Sequence, residues 1–267
     1  MGTEQQPGPL VIIGGAEDRE GDCLVLREFV RAAGGINAVI AVMTAATTAP
    51  TEVGDDYIRI FERLGANRVE VIYTEKREDA DREENLAKVK EATGIFFTGG
   101  DQSRIVDFIK DTPLDKLIHN RHRDGVVIGG TSAGAAMMPD QMIVGGASVS
   151  NPSVDAVEVG PGMGFMPDIV IDQHFSQRGR LGRLLAALVL EPAVLGLGID
   201  EDTAIVVRGD EFEVVGSGAV TVVDETTATH NNLDGLLKDE PIALCNVKLH
   251  ILPQGYRFNW KTHEPLV

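Results

Sequence analysis

The sequence predicts an α/β fold: a doubly wound, mostly parallel sheet flanked by helices, with antiparallel hairpins appended near the C-terminus. Two observations carry this expectation. Through the first half, short apolar runs of strand length alternate with segments whose apolar residues recur at helical spacing, as in right-handed βαβ units. In the last quarter, helical spacing gives way to short strand-like runs separated by glycine-bearing turns. No Pro/Ser-rich linker, low-complexity stretch or internal repeat interrupts the pattern, so residues 1–267 read as one domain. An apolar content of 43% is enough for one sizeable core.

The elements follow in order. Residues 10–13 form a continuous apolar run ending in Gly14-Gly15, suited to a strand buried on both faces. Leu26, Phe29, Val30 and Ala33 then fall at helical spacing, and Gly34-Gly35 stops that helix. Residues 38–43 are the second strand. Tyr57, Phe61 and Leu64 mark a helical face closed by Gly65, and residues 69–73 are the third strand. A highly charged helix with Leu86 and Val89 on its inner side leads to the fourth strand, Ile95-Phe96-Phe97, which runs into Thr98-Gly99-Gly100-Asp101. Residues 102–109 and 114–119 read as helices separated by Pro113, and residues 126–128 as the fifth strand. Beyond residue 140, Gly145-Gly146 and Pro161-Gly162-Met163-Gly164 mark loops. Ile169-Val170-Ile171 is a strand, Leu181, Leu184, Leu185 and Leu188 a helix face, and residues 194–199 and 204–207 further strands. In the tail, residues 213–215 and 220–223 flank Gly216-Ser217-Gly218 as a hairpin. Val247, Leu249 and Ile251 then alternate with Lys248 and His250 before a Pro253-Gln254-Gly255 turn.

Composition narrows the partners. A net charge of −17, from 41 acidic and 24 basic residues, argues against nucleic acid, whose phosphates need a basic face. A cationic substrate suits this field, although an acidic surplus also serves solubility. No apolar stretch approaches the roughly 20 residues of a membrane span. The first seven residues lack the basic and apolar regions of a signal peptide, so the expected location is cytoplasmic. Cys23 and Cys245 lie far apart in apolar-patterned segments and read as buried, reduced thiols.

The chemistry concentrates at strand ends. Gly130-Thr131-Ser132-Ala133-Gly134 follows the fifth strand and precedes Ala135-Ala136-Met137-Met138. A serine with glycine at both second neighbours, between strand and helix, reads as a nucleophile elbow, where small neighbours let the two elements approach. Its bland alternative is a serine that merely caps the helix. A hydroxyl nucleophile needs a base, and the base an orienting acid. Of six histidines, His119 and His122 sit in a polar helix end and read as solvated. Their spacing suits a metal pair, but no carboxylate or cysteine cluster accompanies them, and no metal or cofactor is expected. His230, His250 and His263 fall on loops or exposed strand faces. His174 differs: it closes the strand at residues 169–171, within Asp172-Gln173-His174-Phe175, where α/β sheets place their sites. Alone, it reads first as a satisfied structural histidine. Gly198-Ile199-Asp200-Glu201-Asp202 repeats the pattern with acids at a strand end, either a solvated turn or the source of the orienting acid. Asp172, two residues before His174, is the rival acid. The backbone N–H groups of Gly100, Asp101 and Ala133 are the candidate oxyanion donors.

The pieces Phe97-Thr98-Gly99-Gly100-Asp101-Gln102, Gly129-Gly130-Thr131-Ser132-Ala133-Gly134-Ala135, Asp172-Gln173-His174-Phe175 and Gly198-Ile199-Asp200-Glu201 resemble the cyanophycinases. These belong to the serine-peptidase family that also contains dipeptidase E. The resemblance covers nearly the whole chain in order and spacing. It implies a flavodoxin-like core similar to class I glutamine amidotransferases, with Ser in place of their Cys, and a homodimer. It implies Ser132 as nucleophile, His174 as general base and Glu201 as orienting acid. It assigns Asp172, Gln173, Arg180 and Arg183 to substrate recognition, with Asn151, in the run at 148–153, as a further polar contact. The substrate it implies is cyanophycin, a poly-aspartate backbone with arginine joined through its α-amine to each β-carboxyl, cut to β-aspartyl-arginine. Arg180 and Arg183, three residues apart, suit the α-carboxylates of that polymer, although alone they read as an exposed helix face. A peptidase on short aspartyl or isoaspartyl peptides is the alternative within the family. A non-catalytic protein on this fold, or an amidotransferase subunit, fits less well, since all three triad residues are present and position 132 is not Cys.

Overall fold

The computed structural model describes residues 6–148, 151–190, 195–238 and 240–266. The first half comprises β1 (Leu10–Ile13), α1 (Leu24–Ala32), β2 (Val39–Met43), α2 (Pro50–Arg63), β3 (Arg68–Ile72), α3 (Glu83–Glu91), β4 (Gly94–Phe97), α4 (Gln102–Ile109), α5 (Pro113–Arg123) and β5 (Val127–Thr131). A short helix, α6 (Ala133–Ala136), follows directly, then β6 (Gln141–Gly145), β7 (Glu158–Pro161), β8 (Ile169–Gln173), α7 (Leu181–Leu190) and β9 (Leu195–Ile199). The remainder is strands and turns: β10 (Thr203–Arg208), β11 (Glu211–Gly216), β12 (Ala219–Asp224), β13 (His230–Asn231), β14 (Leu244–Cys245), β15 (Lys248–Pro253), β16 (Arg257–Asn259) and β17 (Glu264–Leu266).

A nine-stranded mixed sheet runs β17-β16-β11-β10-β1-β5-β4-β2-β3. The half from β1 to β3 is parallel, and the half beyond β1 antiparallel. The inner parallel strands β1, β2, β4 and β5 are almost wholly apolar and buried because both faces are covered, whereas the edge strand β3 keeps Arg68 exposed and Glu70 half-buried. Val11, Ile13, Val42, Phe96 and Val127 point into one core with α1 and α2, while Ile12, Met43, Ile95, Phe97 and Ile128 point into the other. In the first core Phe29, Tyr57, Phe61 and Phe96 pack with ring centroids 5.0 to 5.6 Å apart, the separation aromatic pairs favour.

A second sheet, β15-β12-β9-β8, lies over the other face, where Ile171, Leu197, Ile199, Val220 and Val222 join the core that holds Ile205 and Val214. Here β8 and β9 are parallel, so their carboxyl ends emerge together. Helix α7 covers the outer side of this sheet, with Leu184 and Leu188 seated over Gly196.

Three tail expectations are corrected. Strands β11 and β12 do not form a hairpin. β11 pairs with β10 and β16, whereas β12 pairs with β9 and β15, so Gly216-Ser217-Gly218 carries the chain from one sheet to the other. Gly216 makes that crossing possible: its φ is +120°, and a Cβ there would lie 2.2 Å from the Asp202 carbonyl oxygen. On β15 the alternation has the opposite sense to its hydropathy. Leu249 and Ile251 are 52% and 64% exposed on this edge strand, while His250 turns inward with its ring edge-on to Phe258 at 5.3 Å. Cys245 is exposed on β14, whereas Cys23 is buried. Residues 141–145 and 158–161, around one of the expected loops, pair as a bulged antiparallel ribbon. The expected strand start at residue 194 lies outside the described residues. Among the described residues, no helix is long and apolar enough to cross a membrane.

Candidate active site

The ends of β1, β4, β5, β8 and β9 meet at Ser132. Ser132 joins β5 to α6 with φ +52° and ψ −107°, a backbone state that costs a non-glycine residue about 1–3 kcal/mol. Its neighbours have no room for side chains. A Cβ on Gly130 would lie 2.2 Å from the Gly134 carbonyl oxygen, and one on Gly134 2.4 Å from that of Phe97. The strained peptide is held by its own N–H, which donates to the Ile13 carbonyl at 3.0 Å, and by its carbonyl, which accepts from Ala135 and Ala136 at 2.9 Å. No side-chain cap bond is formed by Ser132, so its hydroxyl is left for another partner.

That partner is His174. Ser132 Oγ lies 3.0 Å from His174 Nε2, and His174 Nδ1 lies 2.6 Å from Glu201 Oε1. A carboxylate facing Nδ1 fixes the proton there, so Nε2 is the acceptor for the serine hydroxyl. His174 is nearly buried at 11% side-chain exposure, while Glu201 is open at 34%. The rival acid is directed elsewhere. His174 follows β8 in the left-handed region, φ +48°, which breaks the strand alternation that would have put it on the face of Asp172.

Asp172 instead pairs with arginine. Arg183 Nε donates to Asp172 Oδ2 at 2.9 Å, and Arg183 Nη2 donates to Oδ1. Arg180 Nη1 reaches Asp172 Oδ1 at 3.3 Å and donates to the Gln173 carbonyl and side-chain oxygens at 2.6 and 2.8 Å. All four residues are buried, so the two guanidinium groups are not an exposed helix face. Two cations share one carboxylate, a local surplus of positive charge in a strongly acidic chain. Burial pulls the Arg180 guanidinium down to about 10, with Asp172 opposing, and it remains charged at neutral pH. Its Nε is buried with no partner among the described residues.

The glycine-rich end of β4 closes the site beside the serine. A Cβ on Gly99 would lie 3.4 Å from Ser132 Cβ, and Gly100 has φ +142°, with the Ala46 carbonyl oxygen 2.2 Å from where its Cβ would be. One expected oxyanion donor is removed by the geometry: the Asp101 N–H donates to Ala46 O at 2.9 Å. The Asp101 carboxylate caps α4 through the Ser103 N–H. Gly100 and Ala133 keep backbone N–H groups that donate to no recorded acceptor among the described residues. Helix α6 spans four residues, so it offers local N–H groups rather than a macrodipole.

With this geometry in view, the profile of peptidase family S51 matches residues 10–215, most of the chain. The chain belongs to peptidase family S51. It is a serine-type peptidase, as the sequence resemblance implied. It is 42% identical over 259 residues to the cyanophycinase of Geminocystis herdmanii, covering 96% of this chain and 95% of that one. It is 41% identical over 252 residues to the cyanophycinase of Trichormus variabilis, covering 94% and 85%. The crystal structure of a peptidase from an acI-B1 Actinobacterium superposes with a TM-score of 0.68 at 25% identity, over 96% of this chain and 98% of that chain.

In this S51 peptidase other expected residues lie apart from the triad. Asn151 is exposed, with no recorded bond to the triad or to the arginine cluster among the described residues, and Val149 and Ser150 lie outside those residues. His119 is not simply solvated: it stacks on Phe165 at 4.3 Å, and its Nε2 lies 2.9 Å from the Met163 carbonyl. Two participants escaped the sequence reading. Gln177 accepts the Glu201 N–H at 3.1 Å through its side-chain oxygen, and Gly15 packs beneath the His174 ring. The Gly14-Gly15 pair was legible only as a strand stop, since nothing local marks which ring lies over it.

Proposed function

We propose that this S51 peptidase is a cyanophycinase that releases β-aspartyl-arginine from cyanophycin by way of an acyl-enzyme. The observation that supports this most is the junction of two features on one strand: Gln173 of the buried Asp172–Arg183–Arg180 cluster immediately precedes His174 of the Ser–His–Glu chain. Ser132 Oγ attacks the backbone carbonyl of an aspartyl unit as its proton passes to His174 Nε2, and Glu201 stabilises the imidazolium formed. The oxyanion of the tetrahedral intermediate accepts from the N–H groups of Gly100 and Ala133. Collapse breaks the C–N bond, and the leaving amine takes the proton from Nε2. Water then attacks the ester, giving its proton to His174, which returns it to Ser132 Oγ as the product acid leaves.

The arginine cluster carries the substrate reading. Each repeat of the polymer presents an arginine α-carboxylate, and Arg180 and Arg183, sharing the one carboxylate of Asp172, set a net positive charge beside the segment that carries His174. Asp172 holds both guanidinium groups in place, and Gln173 adds a side-chain amide beside Arg180. The substrate guanidinium gains from the acidic field of the chain. The homodimer that the resemblance implies, and the cytoplasmic location expected from the sequence, belong to this proposal.

Incubation with purified cyanophycin, in parallel with isoaspartyl dipeptides, tests the substrate. The expected result is β-aspartyl-arginine identified by mass from the polymer, and little turnover of the dipeptides. Turnover of isoaspartyl dipeptides without release from the polymer would leave the peptidase but overturn the cyanophycinase.

A further inference from the structure

We propose that residues 13–18 form a positioning clamp that sets the geometry of all three triad members, and that the buried carboxylate of Glu17 anchors it. This rests on the reading of Ser132 as nucleophile. The segment leaves β1, contacts Ser132 and His174 directly, and holds the turn of Glu201 through Asp202. The Ile13 carbonyl accepts from the Ser132 N–H at 3.0 Å, and the Gly14 carbonyl accepts from the His174 N–H at 2.8 Å. Gly15, at φ +99°, lies so close under the imidazole that a Cβ would be 2.4 Å from Cε1. The Gly15 carbonyl accepts from the Asp202 N–H at 2.9 Å, and Asp202 Oδ1 in turn accepts from the Asp18 N–H at 2.8 Å, gripping the turn that carries Glu201.

A segment making these contacts through its backbone can hold them only if it is fixed itself. Glu17 supplies that fixture. Its side chain is fully buried, with Oε1 accepting from Tyr57 OH at 2.6 Å and from Arg19 Nη2 at 2.8 Å. Burial and the adjacent carboxylate push the Tyr57 phenol well above its ordinary range, so it stays a donor. Glu17 Oε2 accepts from Thr131 Oγ1 at 2.6 Å. Thr131 is the residue before the nucleophile, so this bond ties the strained Ser132 peptide to the same carboxylate that anchors the base and acid contacts. Glu17 reaches the reacting atoms only through other groups, and it is a positioning residue.

A positioning role and a merely structural one separate in kinetics. Glu17→Gln keeps the shape while weakening the bonds, Thr131→Val deletes the hydroxyl, and Thr131→Ser restores it. Rates on a short synthetic β-aspartyl-arginine oligomer, divided by the concentration of serine titratable with a fluorophosphonate, give kcat per competent site. Glu17→Gln and Thr131→Val are each expected to lower that kcat by about 10- to 100-fold with KM within about twofold, since a misplaced catalytic group costs turnover rather than binding. Thr131→Ser is expected to recover most of what Thr131→Val loses. A normalised kcat near wild type in Glu17→Gln, a loss that appears mainly in KM, or no recovery in Thr131→Ser overturns the clamp. Undiminished activity in Ser132→Ala would instead overturn the nucleophile reading beneath it.

Discussion

Ser132→Ala is expected to release no measurable β-aspartyl-arginine from cyanophycin, with kcat lowered by about 10⁴-fold or more. Among the described residues the neighbouring groups are engaged elsewhere: Thr131 Oγ1 is bound to Glu17, and Asp101 and Asp172 are held by their own partners. The fold survives, because the contacts that hold position 132 are backbone contacts that alanine keeps. Alanine also inherits the strained φ of +52°. Ser132→Gly is therefore expected to lose the same activity yet to melt higher than Ser132→Ala, glycine adopting that conformation without strain. Activity and thermal unfolding of the two variants check both halves of the expectation.

Asp172→Ala is expected to be the most damaging change to stability among the polar site residues. It leaves two buried guanidinium groups without their carboxylate, and breaking a buried pair in this way costs about 3–5 kcal/mol. For a chain of this size that corresponds to a melting point lowered by roughly 10 °C. The loss is a charge-balance effect, so removing a cation as well reverses part of it. The double variant Asp172→Ala/Arg183→Met should melt above Asp172→Ala alone. A double variant that melts lower still would show that Arg183 contributes through packing rather than through its charge.

Much of this arrangement was legible in the sequence because the physics is local. Strands β1, β2, β4 and β5 announce themselves as nearly apolar runs because both of their faces are covered, whereas the edge strand β3 carries Arg68 and Glu70 and shows itself by alternation. Gly130 and Gly134 mark the elbow because the backbone approach they permit excludes any Cβ. What remained hidden depends on partners distant in the chain. The sequence shows alternation in β11 and β12 but not which strands they join, and Gly216-Ser217-Gly218 serves a sheet-to-sheet crossing as well as it would a hairpin. The hydropathy of β15 points the wrong way because Phe258 draws His250 inward. The Asp101 N–H looked available because its acceptor, Ala46 O, is a backbone atom of another loop and leaves no trace in side-chain chemistry. Glu17 read as one more acid in a chain with 41 of them, although it is the one with Tyr57, Arg19 and Thr131 gathered round it.

The union of a serine nucleophile and a cyanophycin subsite is tested most directly by mapping where a fluorophosphonate reacts, with and without the β-aspartyl-arginine oligomer. A single adduct is expected, on the peptide that carries Ser132, slowed strongly by the oligomer and nearly abolished by His174→Ala. An adduct on another residue, or labelling of Ser132 that neither the oligomer nor the loss of His174 slows, would contradict that union.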